Sequence, residues 1–583
     1  LGGRSLGLAA EEEGLLACRD DGSIVSILSG VLSNTTALAG ASGTVSPSQL
    51  MMRLYADMGT DFLSLIEGQF ALAIYDREKD LVILARDTWG ICPLFYAVTD
   101  NALVFASEIK ALVKSGEVAL RPSIRGLYEG FVYWSTSGGR TVFDNIYQVP
   151  PGSCLLLGRD RKVSIQRFHT YQDPAPFAAE DMAAMQAQIY TTLSQSLADC
   201  LASTAKVGLY LSGGLDSTIL LRLADEMGYS DMPVFSLGFE AGKVDESAYQ
   251  ALALKGHTGK QHKLMVREEE IIASLPQVLR HCESPLFKLG PVPMFMLSNL
   301  AQQAGVQHIL SGEGADELFY GYGLFKETQY RARLASDPMS LQFAQDLEHI
   351  VPPQFRNNPS ILAMYREFYS RYLESDDVLF CMRPRIDTSS EIYRYFTPAN
   401  QAIIDQGEID TLVASQFKPG PSPLRQCQQV QMQVLLAGYL LALQGDRVLM
   451  ANSVEGRYPF LNPRLWELSL SIPDSLKLAE YQEKYILQQT FADIVPHPIL
   501  QRRKYQYSTP GAEIFLSNQD AIAPYLTKET FETIGIFDYR SVHSLIQGLG
   551  RGRGQSHQLT EEMILTYIIT THILMGLAKK GLA

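Results

Sequence analysis

The sequence holds few cysteines and none at paired spacing. The seven, at positions 18, 92, 154, 200, 282, 381 and 427, include no CxxC. An odd, dispersed set excludes a disulfide scaffold and a zinc ribbon, and reads as reduced thiols in a cytoplasmic protein. Positive charge is also short: 49 Lys and Arg stand against 63 Asp and Glu, a net −14. That balance argues against a nucleic-acid partner, and the brief basic stretch Val495–Lys504 does not reverse it. No run of about 18 apolar residues occurs, so no membrane span is expected. Met563–Leu577 comes nearest, but Thr570, Thr571 and His572 interrupt it, which predicts a packed helix. A basic-then-apolar signal peptide is absent as well, and residue 1 is Leu. What is present is a hydrophobic fraction of 46% and a charged fraction of 19% over 583 residues. This fits several folded domains rather than long disorder.

The chain changes character along its length. Leu72–Tyr75, Leu81–Ala85, Leu94–Val98 and Leu103–Ala106 are short apolar runs separated by turn residues. They predict a sheet-based N-terminal domain. Pro150-Pro151-Gly152 marks a turn between two strands, and Gln172–Phe177, with two prolines, marks a linker. We divide the chain into 1–172, a linker at 173–178, and 179–583. Beyond the linker, Met182–Leu201 has helical spacing and Val207–Leu211 reads as a buried parallel strand. Thr218–Met227 reads as a helix, Val234–Phe239 as a strand, and His308–Leu310 as a third. Strands alternating with helices predict a doubly wound α/β domain. Past Tyr322 the pattern is mostly helical, including the apolar helix Val430–Leu443.

The strongest local signal is Ser212-Gly213-Gly214-Leu215-Asp216-Ser217, between a buried strand and a helix. Glycines let backbone N–H groups approach a phosphate, and the helix N-terminus adds partial positive charge. Asp216 would repel a bare phosphate but suits a site that also holds Mg²⁺. The plainer alternative is a glycine turn with Asp at a helix start. A second glycine loop, Ser311-Gly312-Glu313-Gly314-Ala315-Asp316-Glu317, follows the strand ending at Leu310. Ligands sit at the carboxyl ends of strands in open α/β sheets, so the two loops can face one site. Asp216 and Asp316 then form a metal pair, and Glu313 is placed as a general base. Lys484 and Lys504 are the cations that a departing pyrophosphate needs. Taken singly, each lysine is an ordinary surface residue.

These motifs resemble the asparagine synthetase family, which includes β-lactam synthetases and lasso-peptide cyclases. Phe235–Glu240, Asp245-Glu246-Ser247, and Gly445-Asp446-Arg447 through Glu455–Leu461 extend the likeness. The N-terminal part is similar to the family's class II glutaminase domain through Glu67–Ala71, Ala85-Arg86-Asp87, Gly90, Pro93–Tyr96 and Phe105–Lys110. The resemblance implies an N-terminal antiparallel β-sandwich with helices, of the Ntn type. It also implies a C-terminal parallel-sheet ATP-pyrophosphatase domain with a large helical part. By similarity, Ser212, Gly213, Gly214, Asp216 and Ser217 hold pyrophosphate and metal. Leu211, Leu237 and Gly312 contact the nucleoside, and Asp316 holds Mg²⁺. Glu313 takes the base position, Lys504 acts on the reacting phosphate, and Lys484 contacts the phosphates. The implied reaction uses Mg-ATP to form an acyl-adenylate, which an amine then attacks.

The likeness breaks in the N-terminal domain. Glutaminases of this class use an N-terminal Cys whose own amine serves as base. Here residue 1 is Leu, and the first Cys, Cys18, is internal. The oxyanion segment corresponds best to Ser29–Asn34, and the glutamine-amine grip to Gly43-Thr44-Val45 without its Asp. An Arg-Gly-Pro-Asp for the glutamine carboxylate is also missing. We expect this domain to be inactive and the amine to come from elsewhere. The first expectation is intramolecular ring closure of the β-lactam synthetase type, in specialised-metabolite or antibiotic biosynthesis. Glu313 keeps open the amidation of a small carboxylate, such as aspartate, with ammonia or another amine. Clavam-type β-lactam synthetases carry Tyr at that loop position, and asparagine synthetases Glu. Lasso-type macrocyclisation and a non-catalytic scaffold complete the alternatives. The expected partner is a small carboxylic acid with an amine nucleophile, and a homodimer is compatible with the sequence.

Overall fold

The computed structural model describes residues 16–19, 21–40, 45–169, 177, 181–202, 205–240, 246–337, 343–352, 355–502, 511–550 and 555–582. Among the described residues, nine strands build the N-terminal part: β1 (Leu16–Cys18), β2 (Ile24–Leu32), β3 (Gly68–Asp76), β4 (Leu81–Arg86), β5 (Phe95–Val98), β6 (Leu103–Ala106), β7 (Tyr147–Gln148), β8 (Ser153–Leu157) and β9 (Val163–Arg167). They form two antiparallel sheets, β1-β2-β3-β4-β8-β9 and β6-β5-β7. Ala71, Ala73, Leu84 and Leu155 of the first sheet pack against Tyr96 of the second and its flanking residues Leu94 and Val149. The opposite face of the large sheet, including Leu72, Ile74 and Ile83, covers helix Pro47–Met58 through Leu50, Met51 and Tyr55. Alternation along β3 thus fills two cores at once, which makes the unit a sandwich.

The second part is built on five parallel strands: β10 (Val207–Tyr210), β11 (Val234–Phe239), β12 (Gln261–Val266), β13 (His308–Leu310) and β14 (Glu455–Arg457). Their order is β12-β11-β10-β13-β14, so the sheet winds outward in both directions from β10. The topological switch point therefore lies between β10 and β13, where ligands bind in such sheets. Both glycine loops leave the sheet at that crevice. Helix Met182–Leu201 has the predicted bounds, whereas the helix after β10 runs Leu215–Glu226, three residues earlier than the apolar pattern predicts. Helix Gln555–Ala578 contains the interrupted apolar run, and no helix among the described residues is long and apolar enough to cross a membrane. Its Thr570 hydroxyl accepts from Leu286 N at 3.0 Å, Thr571 Oγ1 donates to Tyr567 O at 2.7 Å and His572 Nδ1 lies 2.7 Å from Tyr525 O, so the three polar interruptions are held within the packed helix.

The apolar segment Val430–Leu443 departs from expectation. It is π-helical over Met432–Leu440 and again over Ala442–Asp446, after an α-helix at Pro423–Gln431. Leu441 N donates to Leu436 O and Asp446 N to Leu441 O, both at 2.8 Å, five residues back. The wider helix brings Leu435, Tyr439, Leu440 and Gln444 to one wall of the cleft. Hydrophobic periodicity does not report such a change of pitch, and π segments recur at functional sites.

Charged residues tie the two parts together. Glu283 is buried, and its carboxylate accepts from Ile109 N at 2.8 Å and Lys110 N at 2.7 Å. Arg447 lies 3.3 Å from the same carboxylate and donates to Ser107 O at 3.1 Å. Trp89 Nε1 donates to Leu461 O at 2.6 Å, and its ring meets Trp466 edge-on at 5.6 Å. The Phe105–Lys110 and Gly445-Asp446-Arg447 motifs thus work as a docking clasp.

Candidate active site

A cleft of about 310 Å³ opens at the switch point. The turn after β10 forms one side. Gly213 has φ +75°, and a Cβ there would lie 2.8 Å from Gln250 N. Only glycine suits that left-handed, crowded position. Ser212 Oγ accepts from Gly214 N at 3.2 Å, and Thr218 Oγ1 donates to Gly214 O at 2.7 Å, which fixes the turn onto the helix start. The loop after β13 forms the other side. A Cβ on Gly312 would lie 2.9 Å from Asp216 Cβ, so that glycine lets the two loops meet.

Lys484 joins them. It is buried, with φ +54° just before helix Tyr485–Thr490. Its Nζ lies 2.5 Å from Asp216 Oδ1 and 2.7 Å from Asp316 Oδ1. Two carboxylates from the two loops thus share one ammonium. That donor set and the glycine-lined turn fit a divalent cation with a polyphosphate, because Mg²⁺ takes carboxylate and phosphate oxygens together. Leu211, Ser212, Gly214, Ser217, Leu237, Gly312 and Glu313 all line the same cleft. Gly213 does not line it and instead backs the turn against the helix Ser247–Ala253. Lys504 lies outside the described residues, as do Asp245 and most of the expected linker.

Three site residues had no assignment from sequence. Arg502 lines the cleft, donates to Gly213 O at 3.2 Å and pairs with Glu246. It holds the phosphate-side turn from behind. Tyr322 lines the cleft and donates to Glu317 Oε1 at 2.6 Å. Glu317 is fully buried, its Oε2 has no hydrogen-bond partner among the described residues, and burial pushes its carboxyl up to about 8. A proton on Oε2 at neutral pH removes the cost of an unpaired buried charge. Tyr439 lines the cleft with Glu313, whereas Tyr458 does not line it.

The N-terminal domain differs. Ser29–Leu32 are paired to β3 within β2, and Asn34 is spent on Leu65 O and Glu67 N, at 2.8 and 3.1 Å. Burial pushes the Cys92 thiol well above its usual range and Cys154 up to about 11. Neither is a thiolate nucleophile near neutral pH. Gly43 and Thr44, of the segment corresponding to the glutamine-amine grip, lie outside the described residues.

Comparisons with known proteins give the family of the chain. The family model of asparagine synthase matches residues 188–573, and that of a glutamine amidotransferase domain matches 32–169. The glutamine-hydrolyzing asparagine synthetase 1 of Bacillus subtilis (strain 168) is 25% identical over 472 residues, covering 80% of this chain and 72% of that protein. Amidase chyE of Penicillium rubens is 26% identical over 547 residues, and amidase chry2 of Gibberella zeae 25% identical over 552. Each of these amidases covers 86% of this chain, which spans 78% of it. The chain belongs to the asparagine synthase family, a family of ATP-dependent ligases, and carries a glutamine amidotransferase-type domain ahead of its synthetase part.

Proposed function

We propose that this protein forms an amide bond through an acyl-adenylate, with most weight on intramolecular ring closure of the β-lactam synthetase type. The observation that carries the reading is the Asp216–Lys484–Asp316 cluster between two glycine loops at the switch point. A substrate carboxylate oxygen attacks the α-phosphorus of ATP, and the bond to the β-phosphate oxygen breaks. Pyrophosphate leaves toward the Ser212–Ser217 turn and Lys484, whose fixed charge offsets the developing negative charge. Mg²⁺ bound by Asp216 and Asp316 would neutralise phosphate charge. The amine nitrogen then attacks the acyl carbon, its proton passes to Glu313, and AMP departs. Leu211, Leu237 and Gly312 form the nucleoside side of the cleft, and Lys504 is retained as a second phosphate-side cation.

The amine is proposed to come from the substrate itself. Ser29–Leu32 are paired into the sheet and Asn34 is bonded to Leu65 and Glu67, which supports reading 1–172 as an inactive remnant joined by 173–178 to the synthetase. The free thiols fit a reducing compartment, the cytoplasm. Glu313 at the base position favours a second reading, amidation of a small acid by ammonia. Isotopically labelled ammonium separates the two. Ring closure gives a product lighter than the acid by one water and free of label. Label in the product would establish the second reading instead.

A further inference from the structure

Two cavities meet at one residue of the N-terminal domain. Trp134 and Phe287 line both the cleft and a smaller cavity of about 80 Å³ between the domains. Trp134 follows helix Ile124–Val132 and sits at φ +65°, a genuine outlier for so bulky a residue. Such strain persists where the surroundings fix it, and it gathers at ligand-contacting positions. The surroundings here do fix it. Ser135 Oγ donates to Val434 O at 3.0 Å, and the bare Gly438 lets Ser135 press against the π-helical wall.

The indole is built into the far end of the cleft. It stacks on Phe287 at 5.2 Å, and Phe287 meets Tyr439 at 4.7 Å. The Lys288 ammonium stands 4.6 Å from the indole centroid, and Arg385 is 5.4 Å from it. Lys288 has no carboxylate partner among the described residues. Burial, with Arg385 beside it, pulls its ammonium down to about 8, and no acid of the phosphate end acts on it. Trp134 Nε1 is buried with no hydrogen-bond partner among the described residues. A cation without a carboxylate partner among the described residues and a stack of aromatic rings therefore line one wall of the cleft, beside a buried indole N–H that has no partner there.

We propose that Trp134, supplied by the N-terminal domain, is a specificity-determining residue of the amide-forming site, closing the end of the cleft that receives the acid. The aromatic wall receives a flat, apolar body, and Lys288 receives an anionic group carried on it. The substrate class is a carboxylic acid with a planar or aromatic body and a second acidic group. By closing the cleft against the interdomain cavity, Trp134 also keeps an amine there from reaching the acyl carbon. This deepens the proposed function and rests on it for the identity of the reaction. The retained N-terminal domain then has a role with no glutamine chemistry.

The test measures binding and reaction separately. N-benzoyl-L-aspartate, phenylsuccinate and L-aspartate are titrated into the full chain holding a non-hydrolysable ATP analogue. The aromatic probes should bind about tenfold tighter than L-aspartate. Trp134→Ala should erase that preference, Trp134→Phe should keep most of it, and Lys288→Met should weaken all three probes by about tenfold. Affinity for the ATP analogue should stay within about twofold in every variant, which shows that the cleft is intact. Equal probe affinities in wild type and Trp134→Ala, or no probe binding at all, would overturn the inference. Acid-dependent pyrophosphate exchange in the same samples reports on the reaction. Its absence alongside selective binding sinks the ligase reading and leaves the Trp134 assignment standing.

Discussion

Asp87 and Asp216 each stand just beyond a buried strand, one in each part of the molecule, and they do opposite work. The Asp87 carboxylate accepts from the backbone N–H groups of Trp89, Ile91 and Cys92 at 3.0–3.1 Å. Its neighbour Arg86 donates to Cys92 O at 2.7 Å, Val149 O at 3.2 Å and Gly90 O. Every polar group of that motif is consumed in holding a loop. Asp216 instead faces a cleft and shares one lysine with Asp316. The difference shows how to read a conspicuous acid in a protein core. A carboxylate saturated by its own backbone is scaffolding, whereas carboxylates from two loops that meet on one lysine in an open cleft are placed for a ligand.

The sharpest way to break the comparison is to remove the cation. Lys484→Met should lower acid-dependent pyrophosphate exchange by about two to three orders of magnitude, the usual cost of one charge contact in a transition state. It also removes the cation between two facing carboxylates, so circular dichroism must confirm folding. Exchange near the wild-type rate would remove Lys484 from the site. Next in size is the acid pair. Asp216→Ala with Asp316→Ala should abolish metal-dependent exchange, and exchange that still responds to Mg²⁺ would refute the metal assignment. On the scaffold side, Asp87→Ala should cost about 3 kcal/mol of stability by stranding Arg86 and three N–H groups. Denaturant unfolding measures this, while exchange per folded molecule should hold. A larger loss of exchange than of folded protein would erase the distinction between the two acids.

Much of this was legible in the sequence, for a definite reason. The switch-point loops are written locally, because a buried strand, a glycine turn and a helix start occupy one short stretch. The strands Val234–Phe239 and His308–Leu310 were likewise visible from their alternation with helical segments. What stayed hidden depends on contacts between distant segments. Nothing around Lys484 announces that it lies between Asp216 and Asp316. Nothing around Trp134 shows that it leaves its own domain to wall the other's cleft. The pitch change at Met432–Leu440 follows from backbone pairing that side-chain periodicity does not encode. Glu317 stands inside a motif that was read, yet only burial reveals that it holds a proton.

Glu317 supplies the smallest test. The free carboxyl titrates near 4.5 and the buried one at about 8. Between these values the unfolded chain has lost a proton that the native state keeps, so stability falls as pH rises. Glu317→Gln should flatten that slope and stabilise most at the alkaline end, as urea unfolding across pH would show. An unchanged slope would mean that Glu317 is ionised in the native protein.

The central claim is that the C-terminal cleft performs ATP-driven carboxylate activation while the N-terminal sandwich shapes the cleft and hydrolyses no glutamine. One experiment addresses both halves: the full chain is given Mg-ATP, a panel of carboxylic acids and glutamine, and pyrophosphate exchange and glutamate release are followed in the same sample. The account predicts exchange that depends on the acid, with glutamate at the level of enzyme-free buffer. Glutamate released in step with ATP consumption would contradict it.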